Sequence, residues 1–378
     1  MSQVTQNHGH LTRHSRNFTI FVRMKRLLPV LAIALAVSCG TARPTRQQLL
    51  DQAVDSTLAS LTLEQKVWQL FTLETHVLSD TLYPVGGVIL FGYDVKDSAQ
   101  LKHLVDSLHA LPSKPLISID EEGGRVARIG RNQNINVPRI GPMGELETTE
   151  QAYEAGITIG TYLKDFGIDI DFAPVADVNT NPETVVIGDR AFSSDPSQAA
   201  EMVSSFLKGL AETGVYGCIK HFPGHGDTKN DTHLGYAQSL KTWEEMVQCE
   251  MIPFKAGIEA GTPLVMSAHI SAPNVTGSPV PSTLSPLMLT EKLRGELGFD
   301  GVIITDALRM GAVAQEYTSA QAAVLALLAG ADMLLLPADP HEAFEGVMAA
   351  VADSTLTQDR IDQSVRRILN LKISKTIQ

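Results

Sequence analysis

Apolar positions in this chain gather in short, nearly continuous runs instead of alternating with polar ones. Eight such runs follow one another: Gln69–Leu73, Val85–Phe91, Pro115–Ile119, Ile168–Val175, Val215–Ile219, Pro263–Ser267, Gly301–Thr305 and Ala331–Leu336. Continuous runs rich in β-branched residues suit parallel strands covered on both faces. Between them the apolar residues recur at helical spacing over Ala99–Leu108, Glu150–Lys164, Gln198–Glu212, Trp243–Ala260, Leu287–Leu297 and Thr318–Ala329, and then over Glu342–Ala352 and Asp359–Ile373. A helical face of Leu58, Leu61, Leu63 and Val67 precedes the first run from Gln52 onward, and Thr62 followed by Gln65 reads as a capping box. Eight strand–helix alternations predict an α/β protein built as a TIM-type (β/α)8 barrel, one domain over residues 51–378. A doubly wound open sheet is the alternative.

The front of the chain has another pattern. Arg23, Met24, Lys25 and Arg26 lead into an apolar run from Leu27 to Val37 that ends in Ser38-Cys39-Gly40. A basic stretch, a short apolar core and small residues describe a secretory signal, and the core is too short to span a bilayer. Cys39 stands where a bacterial lipoprotein signal places its lipidated cysteine, with Ala36 where Leu is usual. Residues 1–39 are read as an N-terminal extension with this signal, Met24 being an alternative start, and residues 40–50 as a polar tether. The expected location is the cell envelope, either lipid-anchored or periplasmic.

Composition narrows the function classes. Of 378 residues 44% are hydrophobic, which suits a folded core, and the net charge of −12 speaks against a nucleic-acid partner. The chain holds 3 cysteines, without CxxC or Cys/His zinc spacing, so no metal or other cofactor is expected. A monomer is expected.

Ionisable residues follow five of the runs: Asp120, Asp177, the pair Lys220 and His221, His269, and Asp306. In a barrel these ends meet at one mouth, and buried charges there must pair with each other or face a ligand. Four blocks carry this chemistry. Asp120-Glu121-Glu122-Gly123-Gly124-Arg125-Val126-Ala127-Arg128 offers Asp120 to a polyol, with Glu122, Arg125 and Arg128 expected in an internal salt-bridge network. Gly188-Asp189-Arg190 presents a planar fork of donors suited to sugar hydroxyls or carboxylates, and Asp195-Pro196 reads as the start of a helix. Lys220-His221-Phe222-Pro223-Gly224-His225-Gly226-Asp227-Thr228 continues to Asp231-Thr232-His233, a dense polar loop. Asp306 in Ile304-Thr305-Asp306-Ala307-Leu308 is a carboxylate held rigidly at a strand end.

In this order, over residues 60 to 370, the four blocks resemble glycoside hydrolase family 3, in particular its β-N-acetylglucosaminidase branch. The resemblance implies a single catalytic barrel that acts as a retaining exo-β-N-acetylglucosaminidase. Terminal GlcNAc of peptidoglycan fragments or related glycans would be the substrate; a β-glucosidase-type or other β-glycosidase of the same family is the alternative. It further implies Asp306 as nucleophile, His233 as general acid/base and Asp231 as the residue that orients it. Asp120, Arg128, Arg190, Lys220 and His221 match sugar-binding positions, and His225 and Asp227 shape the loop. Thr232 replaces the family's usual Ser, and Tyr236 stands near a common Pro.

The chemistry is coherent with the residues. Retaining hydrolysis needs a carboxylate and a proton donor about 5 Å apart. A histidine with an ordinary pKa of about 6.5 suits proton transfer near neutrality, and a neighbouring carboxylate favours its charged form. Once its proton is given, neutral His233 would repel anions less than a carboxylate would, so phosphate could compete with water. Two rivals share the barrel. A metal-dependent hydrolase would use the histidines and Asp306 as ligands and leave Asp120 and Arg190 without a role. A non-catalytic glycan-binding lipoprotein would have no need of Asp306 and His233.

Overall fold

The computed structural model describes residues 43–80, 83–184, 186–228 and 237–377. Each of the eight apolar runs overlaps a strand, two of which extend past the run's end: β1 Phe71–Glu74, β2 Gly87–Leu90, β3 Leu116–Ile119, β4 Ile170–Asp171, β5 Tyr216–Phe222, β6 Leu264–Ser267, β7 Val302–Thr305 and β8 Leu334–Leu335. All neighbours pair in parallel, in the order β7-β6-β5-β4-β3-β2-β1-β8. A parallel bridge between Ile304 and Met333, with Thr305 N donating to Met333 O at 3.0 Å, joins β7 to β8. The sheet therefore closes on itself, which removes the free edges an open sheet would leave. Below that seam the buried Asp332 carboxylate accepts from Ile303 N at 3.0 Å and Ser364 Oγ at 2.6 Å, and also pairs with Arg294.

The outer helices are α1 Arg46–Ser60, α2 Leu63–Gln69, α3 Ser98–His109, α4 Thr149–Phe166, α5 Pro196–Thr213, α6 Trp243–Val247, α7 Met251–Glu259, α8 Leu287–Glu296, α9 Ser319–Ala329, α10 Pro340–Ala352 and α11 Gln358–Ser374. Thr62 and Gln65 form the expected capping box, and Asp195 caps α5 with Pro196 in its first turn. Three details differ from the sequence pattern. Helix α1 begins at Arg46, so residues 46–50, read as tether, are helical; Thr45 and Gln48 form a second capping box, and Leu50, Val54 and Leu58 are buried. The single helix expected over Trp243–Ala260 is two, α6 and α7. Restarting at Met251 puts Pro253 in a first turn, where its missing N–H leaves no bond unmade. Helix α8 is wound more widely than an α-helix, ending with Leu297 N donating to Lys292 O at 2.9 Å. Among the described residues, no helix is long and apolar enough to cross a membrane.

Candidate active site

At the C-terminal ends of the strands a cavity of about 270 Å3 is lined by Asp120, Glu122, Arg128, Arg190, Lys220, His221 and Asp306, among others. The barrel thus brings together every described residue that the sequence put forward for binding, together with Asp306. Asp120 follows β3, Lys220 and His221 lie within β5, and Asp306 follows β7. Arg190 comes from a short helical turn, Gly188–Arg190, in the long connection after β4.

The charges at the base are interlocked. Lys220, 2% exposed, reaches Asp120 Oδ1 at 2.8 Å and Glu122 Oε1 at 2.6 Å. Arg190 grips Glu122 with two bonds of 2.7 Å, from Nε to Oε2 and from Nη2 to Oε1. Arg128 Nη2 reaches the other Asp120 oxygen at 3.3 Å. Burial opposes the charge on Glu122, but Lys220 and Arg190 outweigh it and hold the carboxyl well below the usual range. Burial likewise opposes the charge on Lys220, and Asp120 and Glu122 prevail. A buried charge is tolerable only in such a network.

Of the two kinds of partner that its fork suits, sugar hydroxyls or carboxylates, Arg190 meets a carboxylate. Its Nε and Nη2 are committed to Glu122, Nη2 also meets His221 Nε2 at 3.3 Å, and Nη1 donates to Val186 O at 3.0 Å. Little is left over for a sugar, so its main task is to hold Glu122 and His221. The network expected for Glu122 is real, but its partners are Arg190 and Lys220; Arg125 pairs instead with Asp189 at 3.2 Å.

His221 Nδ1 lies 2.7 Å from Asp177 Oδ2. Asp177 is fully buried, and although burial opposes its charge, the neighbouring His221 and His225 and the His225 N–H keep it ionised. The ring is thus held from both sides, by the Asp177 carboxylate at Nδ1 and the Arg190 guanidinium at Nε2. Asp177 also accepts from His225 N at 2.6 Å, and Asp227 accepts from Ser239 Oγ at 3.1 Å, so His225 and Asp227 both tie down the loop. Gly226 is required there, because a Cβ would meet Val178 O at 1.9 Å.

Asp306 is placed differently from the other carboxylates. Its N–H donates to Ser267 O at 2.8 Å and its Oδ1 accepts from Ala307 N at 2.7 Å. Among the described residues no lysine or arginine forms an ion pair with it. Burial raises its pKa, but His269, His221, the Ala307 N–H and Lys220 together bring it below the usual carboxylate value. It is therefore an ionised carboxylate, rigidly seated, with an oxygen left for chemistry. His269 supports it from behind, with Nε2 3.0 Å from Ala307 O and Nδ1 3.1 Å from Thr283 Oγ1. Asp231 and His233 lie outside the described residues.

The sequence model of the glycosyl hydrolase family 3 N-terminal domain matches residues 62–371. The chain belongs to glycosyl hydrolase family 3. It is 36% identical over 324 residues to the beta-hexosaminidase A of Pseudoalteromonas piscicida, covering 77% of this chain and 53% of that protein. It is 40% identical over 258 residues to the beta-hexosaminidase of Tolumonas auensis, covering 66% of this chain and 75% of that one. A family 3 beta-N-acetylglucosaminidase structure from Paenibacillus sp. superposes with a TM-score of 0.80 at 36% identity, over 84% of this chain and 63% of that one. The chain thus spans about half the length of the first of these relatives and three quarters of the second.

Two residues of this family 3 site were undervalued in the sequence. Asp177 follows an apolar run with nothing in the sequence to mark its task, and in the structure it is the partner that orients His221. Glu74 ends β1, is 2% exposed and pairs with Arg309 and, at 2.9 Å, with His76. The signal that picked out Asp120, an ionisable residue directly after an apolar run, also marks Glu74.

Proposed function

We propose that this chain is a retaining exo-β-N-acetylglucosaminidase that removes terminal GlcNAc from peptidoglycan fragments or related glycans. The observation that carries the reading is the contrast among the cavity's carboxylates. Asp120 and Glu122 are neutralised by cations, whereas Asp306 is ionised and unpaired by any described lysine or arginine. Asp306 attacks the anomeric carbon, and the departing oxygen takes a proton from His233, which Asp231 orients. The glycosyl-enzyme is then hydrolysed by a water that His233 deprotonates. Asp120 and the remaining Lys220 N–H meet sugar hydroxyls, with His221 and Arg128 beside them. The cavity of about 270 Å3 falls just short of the roughly 300–1,000 Å3 of small-molecule pockets, and so suits one sugar at a chain end. The likeness to proteins named beta-hexosaminidase supports reading this sugar as GlcNAc and not glucose.

The test is kcat/KM on p-nitrophenyl glycosides. GlcNAc is expected to exceed glucose by at least about tenfold, equivalent to ~1.4 kcal/mol of transition-state discrimination. A preference for glucose would move the chain to the β-glucosidase alternative. Running the same assay with phosphate present identifies the acceptor: free GlcNAc means water, and a sugar phosphate would replace hydrolysis by phosphorolysis.

We also propose that the protein acts in the cell envelope, anchored by a lipid on Cys39. The support is the Arg23–Cys39 sequence pattern, and residues 1–42 lie outside the described part of the chain. Cys39→Ser is expected to abolish lipid labelling of cells expressing the full chain. Labelling that persists in this variant would refute the anchor.

A further inference from the structure

We propose that Tyr93, stacked at the barrel mouth on the cavity-lining Phe91, is the platform for the pyranose ring of the leaving group, and so forms the +1 subsite. The proposal rests on the exo-glycosidase reading above and extends it to the far side of the scissile bond. Phe91 directly follows β2 and lines the cavity, and the chain then makes a tight turn over Gly92–Asp94. Asp94 fixes that turn by accepting from Phe91 N at 2.8 Å. The Tyr93 ring lies 5.5 Å from the Phe91 ring at an angle of 21°, yet the residue is 59% exposed. Single exposed apolar residues are ordinary, but this ring rests on one that lines the cavity. Burial first, and the nearby Glu74 carboxylate second, push its phenol up to about 12, so it stays protonated. Glu74 holds Arg309, whose guanidinium lies 5.9 Å over Phe91 and lines the same cavity. The result is a flat aromatic face, fixed before any ligand arrives, beside a pocket with room for about one sugar. A pyranose presents an apolar C–H face to such a ring while its hydroxyls reach donors at the side, here the Arg309 N–H groups. A fixed platform loses little freedom on binding.

The test compares two substrates: N,N′-diacetylchitobiose, whose leaving group is a sugar ring, and N-acetyl-β-glucosaminyl fluoride, whose leaving group has none. The readout is the ratio of their kcat/KM values. Tyr93→Ala is expected to lower the disaccharide-to-fluoride ratio by roughly tenfold, the effect of losing one packed ring face. Tyr93→Phe keeps the ring and is expected to hold the ratio within about twofold of wild type. Tyr93→Leu, read by the same ratio, is the second test should the alanine variant fail to fold. An unchanged ratio in Tyr93→Ala or Tyr93→Leu would overturn the platform while leaving the glycosidase reading intact. Wild-type enzyme that turns over neither substrate would overturn both.

Discussion

Asp306→Asn is expected to lose nearly all turnover, on the order of 10⁴-fold or more in kcat, with the barrel intact. The amide oxygen can still accept the Ala307 N–H, and the backbone bond to Ser267 is untouched, so circular dichroism and melting should remain close to wild type. What disappears is the negative charge that the surroundings favour. Because His269, His221, the Ala307 N–H and Lys220 together outweigh burial, Asp306 is ionised throughout the neutral range. Among the described residues no other cavity carboxylate can take over. Glu122 is clamped by Arg190 and Lys220, and Asp120 is shared between Lys220 and Arg128. Near-wild-type turnover by the variant would end the assignment.

His233→Ala is expected to produce a loss that depends on the leaving group. A sugar alcohol needs a proton to depart, so hydrolysis of a GlcNAc disaccharide should fall by about 10²–10⁴-fold. A p-nitrophenolate needs little help, and its release should fall far less until deglycosylation limits the rate. Azide should then restore part of that slow step. Asp231→Ala should be milder and should lower the pKa of the alkaline limb, because the imidazolium loses the carboxylate that holds its proton. Equal losses on both substrates without azide rescue would remove His233 from the role. The neighbouring glutamates are poor substitutes. Glu121 is fully buried and turned inward, accepting from Arg128 N at 2.6 Å, Ile129 N at 2.8 Å, Gly130 N at 2.7 Å and Tyr162 OH at 2.9 Å. Burial raises its pKa, yet those donors occupy both oxygens. Glu122 is held ionised and has no proton to give.

The barrel was legible because its strands are covered on both faces, so each left a continuous apolar run in the sequence. What the runs could not show was pairing length: Ile168–Val175 contains only the strand Ile170–Asp171, with an isolated bridge further on at Val175. Helix starts were readable where a threonine and a glutamine or glutamate stand three apart. The same pair at Thr45 and Gln48 was passed over because the segment around it is polar. The site was legible as a set of strand-end ionisable groups but not as a wiring diagram. Arg190 and Glu122 lie 68 positions apart, and only the folded barrel shows which carboxylate the arginine fork clamps. The orienting role of Asp177 depends on His221 arriving from the next strand, which residue order alone does not convey.

The measurement that bears most directly on the central claim is mass spectrometry of the enzyme after incubation with a 5-fluoro N-acetylglucosaminyl fluoride. Fluorine beside the ring oxygen slows both steps, while the reactive leaving group lets the first proceed, so a glycosyl-enzyme should accumulate. The account predicts one added sugar per chain, on the peptide that contains Asp306, and no adduct in Asp306→Asn. A stable adduct on any other residue, or turnover of the reagent without an intermediate and with inversion at the anomeric carbon, would contradict it.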